Sequence, residues 1–268
     1  MWGWLHHLLA SSRSPRAVIP DSLWQQILND YPFLALLESP DLLRLRELTG
    51  LFLEKKEFHG AQGLAITDAM AVAIAAQACL PVLHLGEGSQ PLAWYDDFVG
   101  IVVHPGEVVA QREVLDEDGV VHRYSEALVG EAMESGPVML SWQDVVASSS
   151  ELGYNVVIHE FVHKLDLRDG LPDGCPPLSA GFMGAVSARQ ARLAWQATLQ
   201  TAFDDFRELV IRCERFGGEP TWLDPYGAES VDEFFAVASE AYFVNRERFA
   251  SDFASLVPLF DAFFKPGD

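Results

Sequence analysis

The sequence predicts an α+β fold: a small mixed β-sheet packed on a buried helix, with additional N- and C-terminal helices. Three observations carry that expectation. Leucines recur at helical spacing through residues 21–57, short β-branched runs bounded by Gly and Pro occupy the middle of the chain, and long amphipathic patterns return after residue 187. Helices on either side of a strand-rich centre are the signature of that class. With 268 residues, 49% of them hydrophobic, the chain can bury one large core. It reads as a single unit over 1–268, with an N-terminal helical part at about 1–60 and the main core at about 60–268.

The opening stretch, MWGWLHHLLASSRSP, is apolar but lacks the positive n-region and long h-region of a signal peptide. It reads as an amphipathic segment docked on the domain. Asp21 to Leu28 forms a helix, Tyr31-Pro32 breaks it, and a second helix runs from Pro40 to about Glu57. Residues 58–66 are extended and lead into an apolar helix at 68–80. The window from Leu64 to Leu83 approaches the roughly 20 apolar residues of a membrane span. Asp68, Gln77 and the closing Pro81 interrupt it, and Thr67 offers an N-cap, so it is expected to be a buried core helix.

Phe98 to Val103 reads as a buried strand, and residues 107–115 and 120–124 flank the turn DEDG as a hairpin. Gly136-Pro137 opens a further strand, VMLSW, whose place before the next helix suggests an edge for an extended peptide. That helix spans Glu151 to about Leu167. Residues 168–181, with three prolines and three glycines, are irregular. A long amphipathic helix follows from Ser187 to about Phe216 and ends at Gly217-Gly218. Two helices, at about 230–243 and 252–264, close the chain.

Composition narrows the function classes. Eighteen basic against 39 acidic side chains leave a formal charge of −21, which repels phosphate backbones and argues against direct nucleic-acid binding. Cys79, Cys175 and Cys213 are too few and too scattered for a disulfide framework and form no C-x-x-C pair. A cytoplasmic protein with no membrane partner is expected.

The chemistry concentrates in NVVIHEFVHKLD, which contains the H-E-x-x-H pattern His159-Glu160-Phe161-Val162-His163. Residues i and i+4 of a helix share one face, so both imidazoles can bind one metal ion, while Glu160 beside the first can act on a water as general base. Val156, Val157, Ile158, Phe161, Val162 and Leu165 make the helix apolar nearly all round, hence buried. Coincidence would require two core histidines and a glutamate to be buried there, each with its own partner. A third ligand is needed. Asp166 and Asp169 stand where a metzincin places Gly and His, which excludes that class. A glutamate from YGAESVDEFFAVASEAYF is the alternative. Glu229, Glu233 and Glu240 are available; Glu233 and Glu240, seven apart, share a helical face, and spacing alone does not choose between them.

VIHEFVHKLD together with WLDPYGAESVDEFFAVASEAYF resembles the Mlc titration factor A family of bacterial zinc peptidases, with GPVMLSWQDV, WYDDF and IVVHPGE extending the likeness. The family is in turn distantly similar to the catalytic domain of anthrax lethal factor. The resemblance implies a zincin-like metallopeptidase fold and a Zn²⁺ ion on His159, His163 and Glu233, the first glutamate of the E-F-F-A motif. It implies that Tyr226, seven residues earlier, stabilises the transition state. Lethal factor carries a further glutamate four residues after its ligand; Val237 stands there here, so that supporting role falls to Glu240 or Asp166.

The implied activity is that of a zinc-dependent, aminopeptidase-like peptidase, its water activated by zinc and deprotonated by Glu160. Family members also bind Mlc, a repressor of glucose-uptake genes, so the expected partners are a peptide substrate and a Mlc-like repressor. Two other readings compete: a regulatory module that sequesters a repressor around a structural or vestigial zinc site, and a zinc hydrolase of non-peptide amides. A closed structural site would have no use for Glu160 beside its ligands.

Overall fold

The computed structural model describes residues 18–106, 108–115, 121–128, 130–132, 136–148 and 151–266. The N-terminal segment expected to dock on the domain lies outside them, as does the DEDG turn. Helices α1 (Asp21–Asp30) and α2 (Ser39–Lys55) flank a bend containing Tyr31-Pro32. Pro40 sits in the first turn of α2, where its missing N–H costs nothing. α2 ends earlier than its leucine pattern suggests. Lys56 leaves the helix, and its buried Nζ donates to the carbonyls of Tyr95 and Phe98 while lying 3.8 Å from the centre of the Phe98 ring. That anchor sends the chain straight into strand β1 (Glu57–Gly60).

Helix α3 (Asp68–Cys79) is the core helix expected from its sequence. The Thr67 hydroxyl accepts the Met70 N–H at 3.2 Å, and every residue from Met70 to Cys79 is buried. Among the described residues no helix is long and apolar enough to cross a membrane.

Strand β2 (Gly100–His104) pairs in parallel with β1, Glu57 opposite Gly100. A two-stranded antiparallel ribbon follows, β3 (Val108–Leu115) with β4 (Val121–Leu128). This is the expected hairpin with its second arm extended past Tyr124. Strands β5 (Gly130–Ala132) and β6 (Val138–Ser141) complete a mixed sheet in the order β1-β2-β6-β5, in which only β5 runs antiparallel. Ile101, Val103, Val138 and Leu140 are buried, the period-two pattern of a sheet with one face on the core. The expectation that the VMLSW strand offers an edge is overturned. β6 is hydrogen-bonded on both sides, and among the described residues β5 is the outermost strand there. Trp142 also leaves the strand. It begins the short helix α4 (Trp142–Ala147), because the Ser141 hydroxyl accepts the Asp144 N–H and caps a new turn.

Helix α5 (Val156–Asp166) carries the H-E-x-x-H residues. It starts later than expected, since Gly153 adopts a left-handed φ of 68° and Asn155 is the N-cap. Helix α6 (Ala188–Phe216) is capped by Ser187 and stopped by Gly217, as its sequence suggests. Then come α7 (Val231–Val244), α8 (Arg246–Asp252) and α9 (Val257–Phe264). The helix expected at about 252–264 starts later, at Val257, with Pro258 in its first turn, and α8 before it has no counterpart among the expected helices. A continuous buried cluster takes side chains from α1 through α9, and α5 lies in it against α7, β5 and β6.

Candidate metal centre

Helix α5 starts where Asn155 turns its side chain onto the helix: Oδ1 accepts the Ile158 N–H at 2.9 Å. One turn later His159 and His163 project from the same face. Helix α7 crosses there with Glu233 in its first turn, its start fixed by the Ser230 hydroxyl, which accepts the Glu233 N–H.

Three ligand-type atoms meet between the helices. His159 Nε2 is 3.1 Å from His163 Nε2 and 3.1 Å from Glu233 Oε2, and His163 Nε2 is 3.2 Å from the same oxygen. Among the described residues these three form the group placed to hold a metal ion. Ligands at about 2.0–2.1 Å in a tetrahedral zinc site lie about 3.3 Å apart, so the triangle has the right size. The hydrogen-bond arithmetic agrees. His159 Nδ1 lies 2.7 Å from Glu240 Oε1, and donating that proton leaves Nε2 of a neutral ring with only a lone pair. That lone pair then faces a carboxylate oxygen and a second imidazole nitrogen, an arrangement that calls for a cation between them.

The electrostatics point the same way. Burial opposes the charge on Glu233, but the hydrogen bonds with His159 and His163 outweigh it and hold its carboxyl well below the usual carboxylate range. Burial also disfavours a charged His159, and there Glu233 and Glu240 win, raising its pKa well above the ordinary value. The site draws positive charge to its centre. Glu160, only 4% exposed, has its Oε2 buried with no hydrogen-bond partner among the described residues. Burial pushes its carboxyl up to about 7, against the pull of His159 and His163.

Tyr226 stands at the mouth, 41% exposed, on a short 3₁₀ turn from Pro225 to Ala228 that Asp224 caps. Its hydroxyl donates to Glu233 Oε1 at 3.2 Å, and its ring lies 6.2 Å from that of His159. Gly227 lets this turn press on α7: a Cβ there would meet Val237 at 3.2 Å.

All five residues singled out from the sequence thus come together. Glu229 is exposed on the surface. Of the two acids left open for the supporting role, Glu240 touches a candidate ligand. Its second oxygen, Oε2, accepts the Asn155 N–H. Asp166 turns away, accepting the Gly174 N–H at 2.9 Å and anchoring the loop after α5. Asn155, which bonds Glu240 and caps α5, is the residue beside the triad that pattern reading missed. Its signal was visible as an Asn directly before the apolar run, the commonest kind of helix start.

Two apolar helices thus cross at a His-His-Glu triad that could hold a metal ion, with the buried Glu160 beside it. The chain matches the family model described as "Glucose-regulated metallo-peptidase M90" over residues 7–265. It is 32% identical over 243 residues to Mlc titration factor A of Yersinia pestis (strain Pestoides F), covering 90% of this chain and 83% of that protein. The same figures hold for Mlc titration factor A of Yersinia pseudotuberculosis serotype O:1b (strain IP 31758). The chain belongs to this metallopeptidase family, that of Mlc titration factor A.

Proposed function

We propose that this protein is a zinc-dependent, aminopeptidase-like peptidase of zincin-like arrangement that hydrolyses peptide amide bonds. The observation that carries the reading is the Oε2 of Glu160, buried and without a partner among the described residues, next to the His159–His163–Glu233 triad. The triad would hold the zinc, which when bound supplies Lewis-acid polarisation of a carbonyl and makes a water more acidic. Glu160 takes the proton from the attacking water and delivers it to the leaving amine. A carboxyl raised to about 7 is suited to both roles near neutral pH. The Tyr226 hydroxyl, a donor at the mouth of the site, turns from Glu233 to the oxyanion that develops on the substrate. Glu240 keeps the His159 proton on Nδ1 and so keeps Nε2 available to the ion.

The test is Glu160→Gln. It should keep zinc and fold while lowering peptide-amide turnover by about 10² to 10⁴, the usual worth of a general base. Hydrolysis within a few-fold of wild type would remove Glu160 from the mechanism. The name of the relatives favours a second reading, that the protein binds a Mlc-like repressor and titrates it. Calorimetry with purified Mlc separates the two: binding unchanged in Glu160→Gln means that recognition does not depend on turnover.

A further inference from the structure

Helix α3 is buried throughout, and its only polar side chain between Met70 and Cys79 is Gln77, at 0% exposure. A polar group in such a helix is costly unless each of its atoms is paired. Gln77 Nε2 donates to the Ala73 carbonyl of the preceding turn at 3.0 Å. Gln77 Oε1 accepts from Asn155 Nδ2 at 2.7 Å, across 78 residues of sequence.

Asn155, also fully buried, makes three bonds at once. Its Oδ1 caps α5 through the Ile158 N–H, its Nδ2 reaches Gln77, and its main-chain N–H donates to Glu240 Oε2. The other oxygen of Glu240 holds His159 Nδ1. An unbroken run of buried hydrogen bonds therefore joins a core helix to a candidate metal ligand. Serine or aspartate would cap α5 about as well as asparagine. Asparagine carries the cap acceptor and a donor on separate atoms, so Oδ1 can hold Ile158 while Nδ2 reaches Gln77; aspartate has no such donor, and serine has only its one short hydroxyl.

We infer that Gln77 is a positioning residue for the metal centre. It fixes the Asn155 amide, which sets the Asn155 N–H under Glu240, and thereby the orientation and proton position of His159. The inference rests on the metal-site reading given above and extends it to a helix that carries none of the candidate ligands.

Zinc affinity, measured by competition with a chromogenic chelator on the full chain, is a readout that mere packing would not move. Replacing a group that touches a ligand usually costs ten- to a hundredfold in affinity. Gln77 lies two steps beyond, behind Glu240 and Asn155, so Gln77→Met, nearly isosteric but with no acceptor for Asn155, should weaken zinc by about five- to tenfold, toward the low end of that range. Gln77→Glu, neutral when buried, keeps the acceptor and should return affinity to within about twofold. Asn155→Ser retains the cap, loses the amide Nδ2 that spans to Gln77 Oε1, and should match Gln77→Met. The double variant should be no worse than either single one, because both break the same link.

Zinc affinity within about twofold of wild type in Gln77→Met, or an additive double variant, would overturn the inference. If Gln77→Met does not fold, an unchanged affinity in Asn155→Ser overturns it instead. Glu233→Ala is the control: if it loses no zinc, the metal site itself is wrong, whereas loss there with a silent Gln77→Met sinks only this inference.

Discussion

Glu240→Gln changes two atoms' chemistry and almost nothing else, and the geometry around it forces a choice. Glu240 Oε1 receives the His159 Nδ1 proton at 2.7 Å, while Oε2 receives the Asn155 N–H. A carboxylate accepts on both sides; an amide can accept on only one. If the glutamine oxygen faces Asn155, its NH₂ faces Nδ1 and drives the imidazole proton to Nε2, the atom that points at Glu233 and His163. If the oxygen faces His159, two donors confront each other at the buried Asn155 N–H. Leaving a buried donor unsatisfied costs about 1–3 kcal/mol. The cheaper arrangement wins, so zinc binding should weaken by roughly 5- to 150-fold, each tenfold being about 1.4 kcal/mol. Chelator competition on the purified variant at pH 7.5 reads this directly, with circular dichroism confirming the fold. Affinity within a factor of two of wild type would show that Glu240 does not govern the His159 proton.

Two other perturbations probe separate parts of the same architecture. Tyr226→Phe keeps the ring and removes only the hydroxyl that donates to Glu233 Oε1, so it should slow the chemical step by about 10² with zinc content near wild type; a silent variant in steady-state kinetics would reduce Tyr226 to packing. Burial raises the Asp166 carboxyl from 3.8 to about 7 against the pull of the Gly174 N–H, so the fold bears a cost that is absent below pH 4 and complete above about pH 7; Asp166→Asn should raise the melting temperature at pH 8 and not at pH 4, and an equal gain at both would refute the titration.

Much of this was legible because local chemistry and tertiary role coincided. Thr67, Ser187 and Gly217 end their helices where their types say they should, and the i, i+4 histidines could share a metal only on a helix. Three features were not legible, and each depends on a contact outside the segment read. Lys56 ends α2 because carbonyls some forty residues away claim its ammonium. β6 reads as a strand from its own residues, but nothing in VMLS says that β5 will cover its second edge. Glu233 and Glu240 share a face of α7, and helical period cannot tell which meets Nε2 and which meets Nδ1 of one imidazole. That distinction is set by the crossing of α5 and α7, which no single segment encodes.

The polar residues of α5 separate what the fold needs from what it tolerates. His159 is satisfied by Glu240, and the fully buried Lys164 by Asp97 at 2.9 Å and the Gly136 carbonyl at 3.2 Å. Asp166 leaves Oδ1 unpartnered and burial raises its carboxyl to about 7, but its Oδ2 is tied by the Gly174 N–H. Among the described residues Glu160 Oε2 has no partner, and burial raises its carboxyl to about 7 as well, at the side of the triad. Such a group destabilises its own fold, because above neutral pH a charge must be held where water is scarce. Glu240, by contrast, accepts on both of its oxygens. The variant proposed for catalysis, Glu160→Gln, therefore makes a second and opposite statement about stability. Its neutral amide should leave the melting temperature at pH 8 unchanged or a few degrees higher while turnover collapses, the pattern of a residue kept for chemistry against the interest of the fold. A melt several degrees lower would mean that the carboxylate ties the helix to something, and the structural reading of the centre would then be the better one.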